Sequence, residues 1–329
     1  MKIYILGFDN GYISSIVGLM DIFRQAGSLL QDEHSGSKEK KIHVKLASVD
    51  GKPILCQNNI HLNVHCAVKD IQDADIFIIT SIHNVENALP GNRKMIDWLK
   101  KQHRKGTILI SICTGAFLLA ETGLLNGKEA TTHWSLAGIF QERYPAITIK
   151  PEKLIINHNN IYCAAGSGSA TDLAYYLLEN YLGHSLAART AKFFLHDFRR
   201  VSQYAYTIYE TKTDHNDTQI NTVQKWINKN LHEPITISQL SDIACMTQRT
   251  FERRFKKAIS DSPQVYIQRL KVERAKQQLE TTDLSFEEIA YNLGYKNSGS
   301  FRKIFMKWVA LLPSEYKVRF QSYRQSSFL

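Results

Sequence analysis

Residues 236–255 read TISQLSDIACMTQRTFERRF and residues 285–305 read SFEEIAYNLGYKNSGSFRKIF, two copies of one helix-turn-helix pattern. Leu240 aligns with Ile289, Cys245 with Gly294, Met246 with Tyr295, Phe251 with Phe301, Phe255 with Phe305, Pro263 with Pro313 and Tyr266 with Tyr316. The offset stays at about 49 or 50 residues, as an internal duplication requires. Each copy opens on a capping-box spacing, Thr236 with Gln239 and Ser285 with Glu288. There the hydroxyl and the side chain three residues on satisfy backbone N–H groups left free at a helix start. Between the copies, YIQRLKVERAKQQLE sends Ile267, Leu270, Ala275 and Leu279 to one side, which predicts a single long helix. Such a spacer would carry two recognition helices to major-groove segments about 34 Å apart.

Upstream, NTVQKWINKNL gathers Val223, Trp226, Ile227 and Leu231 on one face before Pro234 breaks the run. Residues 210–217, ETKTDHND, are polar and lack an apolar period, so they read as an exposed linker. The expected division is a domain over 1–209, a linker over 210–219 and a helical domain over 220–329.

Length and charge agree with this division. A chain of 329 residues is long enough for two cores. Its formal net charge is +10, with 41 basic against 31 acidic residues. Up to residue 213 the balance is 23 to 19, and beyond it 18 to 12, so the shorter C-terminal part is more basic per residue and suits a polyanionic partner. The sequence offers neither a run of about 18 apolar residues nor a secretory signal, which predicts a cytoplasmic protein with no membrane partner. The five cysteines, Cys56, Cys66, Cys113, Cys163 and Cys245, are odd in number and lack Cys-x-x-Cys spacing. They read as reduced thiols, with no metal and no cofactor expected.

In the N-terminal part, KIYIL (2–6), HVKLASV (43–49), DIFIIT (75–80) and TILISI (107–112) are short apolar, β-branched runs. Helical patterns near 13–30, 92–104 and 115–121 alternate with them, so the fold class is α/β, a parallel-sheet sandwich followed by an all-α domain. Asn159-Asn160 between apolar runs predicts a hairpin, and helical patterns continue to about residue 200. The stretch LISICTGAF ends a strand at Cys113 and opens a helix, the geometry of a nucleophile elbow. A thiol there sits at a helix N-terminus, and His133 could approach it.

The recognition helix of the first copy, QRTFERRFKKA, buries Phe251 and Phe255 and leaves Arg249, Thr250, Glu252 and Arg253 for a groove, with Arg254, Lys256 and Lys257 at its flanks. Arginine matches guanine, glutamate can accept from cytosine, and lysine serves phosphates. The second copy presents Ser298, Gly299, Ser300 and Lys303, with Arg302 and Lys307 nearby. Its short side chains predict backbone contact more than base readout.

Residues 220–320 resemble the AraC/XylS class of DNA-binding domain, including IAYNLGYKNSGSFRKIFMKWVALLPSEYKVRF. Ser260 and Ala310 stand where that family often has glycine. The elbow, with GFDNGYISSIVGLMDIF and AAGSGSATDLAYYLLE, resembles the ThiJ/PfpI-like, class I amidotransferase-like domain, a flavodoxin-like fold. Together the chain resembles GlxA-type AraC-family regulators. The resemblance implies a double-stranded promoter DNA partner, a small-molecule effector, a homodimer and RNA polymerase as a further partner. It also implies a pocket of Cys113, Thr114, His133, Trp134, Asp21 and His83. Trp134 with Asp21 would suit an amine or amino-acid derivative. Two departures bear on catalysis. Thr114 stands where PfpI-type proteases have histidine, and Ser81, Ile82 and His83 replace an oxyanion Gly-Gly pair. The expectation is a non-enzymatic ligand-responsive regulator; the alternatives are a Cys113-dependent hydrolase or amidotransferase-like enzyme with a DNA-binding tail, and a redox sensor using the same thiol.

Overall fold

The apolar runs become the inner strands of a seven-stranded sheet. The computed structural model describes residues 1–33, 41–86, 89, 92–197, 200 and 202–322. Its strands are β1 (Lys2–Leu6), β2 (His43–Ser48), β3 (Ile54–Cys56), β4 (Ile60–Leu62), β5 (Cys66–Ala67), β6 (Ile76–Ile79), β7 (Ile108–Ile112), β8 (Glu129–Ala130), β9 (Thr148–Ile149), β10 (Ile155–His158) and β11 (Ile161–Ala164). The main sheet runs β10-β11-β7-β6-β1-β2-β5. It is parallel except for the β10–β11 hairpin, whose Asn159 takes a left-handed φ of 55° as the Asn-Asn pair predicts. Every residue of β6 is buried, the pattern of a strand covered on both faces.

The helices of this unit are α1 (Ser14–Glu33), α2 (Arg93–Arg104), α3 (Gly115–Glu121), α4 (Ala137–Arg143), α5 (Ser169–Leu182) and α6 (His184–Phe193). One core joins α1, α5 and α6 to one sheet face, and a second joins α2, α3 and α4 to the other. The helical pattern expected to reach about residue 200 stops at Phe193, because Leu195 turns left-handed at φ 51°; residues 198, 199 and 201 lie outside the described set. The short strands β3, β4, β5, β8 and β9 carry too few residues for a period to show.

The sheet fixes where a site can form. From β1 the chain goes to β2 on one side, while β6 pairs on the other side of β1. At such a reversal the loops leaving the two strands diverge and open a crevice at their carboxyl ends.

Contacts divide the chain into two units, Met1–Gln203 and the residues from Tyr204 onward. The second holds α7 (Thr218–Lys229), α8 (Ile237–Ile243), α9 (Gln248–Ile259), α10 (Pro263–Thr281), α11 (Phe286–Asn292), α12 (Ser298–Val309) and α13 (Pro313–Phe320). Each helix-turn-helix copy has its own core, one around Phe251 and Phe255 and one around Phe301 and Phe305. The spacer helix α10 serves both, giving Tyr266, Ile267 and Leu270 to the first and Val272, Ala275 and Leu279 to the second. The second capping box is complete, with Glu288 accepting from the Ser285 N–H at 2.7 Å; in the first, Thr236 accepts from the Gln239 N–H and caps the helix by its hydroxyl.

Residues 210–219 are largely exposed, as expected of a linker. They lack regular structure up to α7, yet they are tied down. Tyr209 donates to Asp261 and stacks under Arg269 at 4.0 Å, Lys212 donates to Ser260, and His215 bonds Gln224 at 2.9 Å. Upstream, Ala205 is buried in the second core and the Lys276 ammonium donates to the Thr207 carbonyl. Some of the polar groups that read as solvated linker thus bond within the second unit, and the division falls earlier than residue 210.

Candidate functional site

The elbow forms where β7 ends. Cys113 has φ 54°, an unfavourable conformation for a residue with a side chain, and its N–H donates to the Ala165 carbonyl at 2.6 Å. Gly115 then lets α3 start against β6. A Cβ there would sit 2.5 Å from the Ile79 carbonyl oxygen and 2.7 Å from that of Thr80, so a larger residue would force the turn open.

Cys113 is buried, and burial pushes its thiol above the ordinary value; Ser167 and Thr114 offset only part of this. Burial also holds His133 below the ordinary imidazole range. Its Nδ1 accepts from the Ser135 N–H, its ring lies against Gly166, and among the described residues no hydrogen bond joins it to Cys113. Thr114 Oγ1 accepts the Ile82 N–H at 2.7 Å. A backbone donor beside the elbow is therefore committed internally rather than aimed at an oxyanion.

Thr132 Oγ1 donates to the Cys113 carbonyl at 2.8 Å. Gln203, also buried, donates to the Thr132 carbonyl at 3.0 Å and accepts the Trp134 N–H at 3.2 Å. The elbow is thereby bonded, through one threonine, to the last residue of the first unit. Nothing in the sequence singles out Gln203, because the contact spans about seventy positions and follows no short-range pattern.

Thr132, next in sequence to His133, is bonded to the Cys113 carbonyl, and the His133 and Trp134 rings lie 5.3 Å apart. The structure does not bring Asp21 to them. Asp21 lies on the exposed face of α1, because the helical period that buries Ile22 and Phe23 turns it outward. His83 is exposed and bonds Gln57 at 3.4 Å. It lines a cleft of about 690 Å³ at the carboxyl ends of β1, β2 and β6, where Asp9, Asn10, Asp50, Lys52 and Asn84 also converge. Asn10 and Asn84 both hold left-handed φ angles, 59° and 49°. Cys113 is not part of that cleft's wall, so the expected single pocket is two adjoining regions.

The side chains expected to face DNA lie on α9 and α12. Arg249, Glu252, Arg253, Lys256 and Lys257 are exposed on α9, and Thr250 is half-buried, held by Thr247 at its N-cap. Arg254 is drawn away from the flank: its guanidinium grips both oxygens of Asp217, at 2.9 and 2.8 Å, and reaches Gln219. On α12, Ser300, Lys303 and Lys307 are exposed and Ser298 is half-buried, with Asn297 capping the Gly299 and Ser300 N–H groups. Arg302 pairs with Glu287 at 2.7 Å and Lys307 lies 5.0 Å from the Trp308 ring. Among the described residues no group of three metal-ligating side chains and no helix able to cross a membrane occurs.

Residues 1–180 match the DJ-1/PfpI family, and residues 240–319 match a helix-turn-helix domain. The HTH-type transcriptional regulator CdhR of Pseudomonas aeruginosa is 28% identical over 270 residues, covering 82% of this chain and 79% of its own. The regulator GbdR of the same species is 24% identical, covering 93% and 81%. A transcriptional-regulator crystal structure from Vibrio parahaemolyticus superposes with a TM-score of 0.53 at 22% identity, over 59% of this chain and 98% of its own.

Proposed function

The chain belongs to the DJ-1/PfpI family and ends in an AraC-type helix-turn-helix domain, so it is a transcriptional regulator, and from that premise we propose that its N-terminal unit senses a small metabolite. The observation that carries this reading is the hydrogen-bonded run from Cys113 through Thr132 to Gln203. Residue 204 opens the DNA-binding unit, so a ligand that shifts the elbow or the Trp134 strip acts on the chain where the two units join. A ligand biases such a protein only through different contacts in its two states, and a buried polar latch supplies a difference of that kind.

The effector is small and polar. Asp9, Asp50 and Lys52 offer both charge signs in the cleft, the complement of an amine or amino-acid derivative. The raised Cys113 thiol and the internally committed Ile82 N–H favour sensing over hydrolysis.

A thermal-shift screen of polar metabolites on the full chain tests this reading, because a ligand that binds only the folded state raises its melting temperature. The expected outcome is a hit that also changes DNA affinity. Gln203→Ala should keep the thermal shift and lose the change in DNA affinity. If Gln203→Ala responds to the ligand as the parent does, the latch is not the route.

A further inference from the structure

The duplication itself makes visible one place where the halves carrying the two helix-turn-helix copies meet. Cys245 and Gly294 are equivalent positions, and both hold left-handed φ angles, 51° and 75°. Cys245 is exposed, and its side chain has room. At Gly294 a Cβ would stand 2.7 Å from the Glu233 carbonyl carbon and 2.9 Å from the His232 carbonyl oxygen. The turn of the second motif therefore lies backbone to backbone against the loop between α7 and α8 of the first. Glycine is required there by contact as well as by conformation.

Lys271 closes the same joint. It sits on α10 between Leu270, the last residue given to the first core, and Val272, the first given to the second. It is 4% exposed, and its ammonium donates to the Glu233 carbonyl at 3.1 Å and the Leu293 carbonyl at 2.7 Å. Glu233 lies in the loop that leads into the first motif, and Leu293 is the C-cap of α11 in the second. The Tyr295 ring lies 5.1 Å from the ammonium, and among the described residues no carboxylate pairs with it. Burial lowers its pKa to about 8. A lysine kept at that cost, with one donated bond to each side of the joint, has a positional use.

We propose that Lys271 is a positioning residue that, with Gly294, locks the two motifs at one fixed separation and so sets the half-site spacing the protein accepts in DNA. This rests on both motifs engaging one duplex. An inserted base pair moves one half-site by about 3.4 Å and rotates it by about a tenth of a turn, which a rigid pair of readers cannot follow.

The test uses the full chain. Its binding sequence is selected from a random duplex pool, and affinities are measured on that duplex and on versions with one to four base pairs inserted between the half-sites. The parent should lose at least about tenfold in affinity on the first insertion. Lys271→Met should bind an isolated half-site as the parent does and vary less than about threefold across the series. Gly294→Ala, which pushes on the Glu233 backbone with Lys271 in place, should flatten the series likewise and stands in if Lys271→Met does not fold. A spacing preference in either folded variant equal to the parent's overturns the proposal. So does a uniform loss at every spacing that tracks the fall in melting temperature, the mark of a structural role alone. A parent that selects only one half-site also overturns it, by removing the second reader while leaving DNA binding intact.

Discussion

At the scale of the residue, a side chain's role follows from what it is bonded to more than from its type. Arg253 and Arg254 are neighbours of one kind, yet Arg253 is exposed and Arg254 is held by Asp217 and Gln219. Alanine at Arg249 or Arg253 should relax base preference by about 1–3 kcal/mol at one position of the binding sequence. Arg254→Ala should leave base preference unchanged and lower the melting temperature, since it frees the half-buried Asp217 that caps α7. Affinity measurements on single-base variants separate the two. Cys113 yields a second expectation. Its thiol titrates above the ordinary cysteine range, so the thiolate is scarce at neutral pH and grows only as pH rises past that range. In the native protein a thiol reagent followed by mass spectrometry should label exposed Cys245 ahead of Cys113 at pH 7. Preferential labelling of Cys113 there would favour the enzymatic or redox readings.

At the scale of the element, the sequence was most informative where a pattern repeats over many residues. The inner strands, the spacer helix and both recognition helices are legible because burial on a face imposes a period. The elbow is legible because a strand ending in Cys-Thr-Gly leaves few ways to start a helix. Strands of two or three residues have no period, and the bonds that tie Tyr209 and His215 reach residues about ten to sixty positions away, which no local pattern shows. Helix ends show the same limit and suggest a test. The C-caps of α9 and α12 are Ser260 and Ala310, both left-handed, at φ 73° and 58°. Ser260→Gly and Ala310→Gly should each stabilise the domain by about 1 kcal/mol, read from chemical denaturation. Destabilisation by Ala310→Gly would show that the Cβ makes packing contacts that outweigh the strain, and by Ser260→Gly that the bond from Lys212 outweighs it as well.

At the scale of the whole molecule, the two-part plan was readable from the duplication, the charge balance and the elbow together. What stayed hidden was long-range. The resemblance implies Asp21 in the pocket, but the helix phase in three dimensions turns it outward. Gln203 and Lys271 act through partners as far as seventy positions away, and neither sits in a motif. The central claim is that one unit senses and the other reads DNA. The most direct test is the affinity of the full chain for its selected duplex and for a scrambled one, at physiological salt, with and without a metabolite found by thermal shift. The account predicts a preference of about a thousandfold or more for the selected duplex and a change of at least about fivefold in that affinity on adding the metabolite. Equal binding to both duplexes, unmoved by the metabolite, would contradict it.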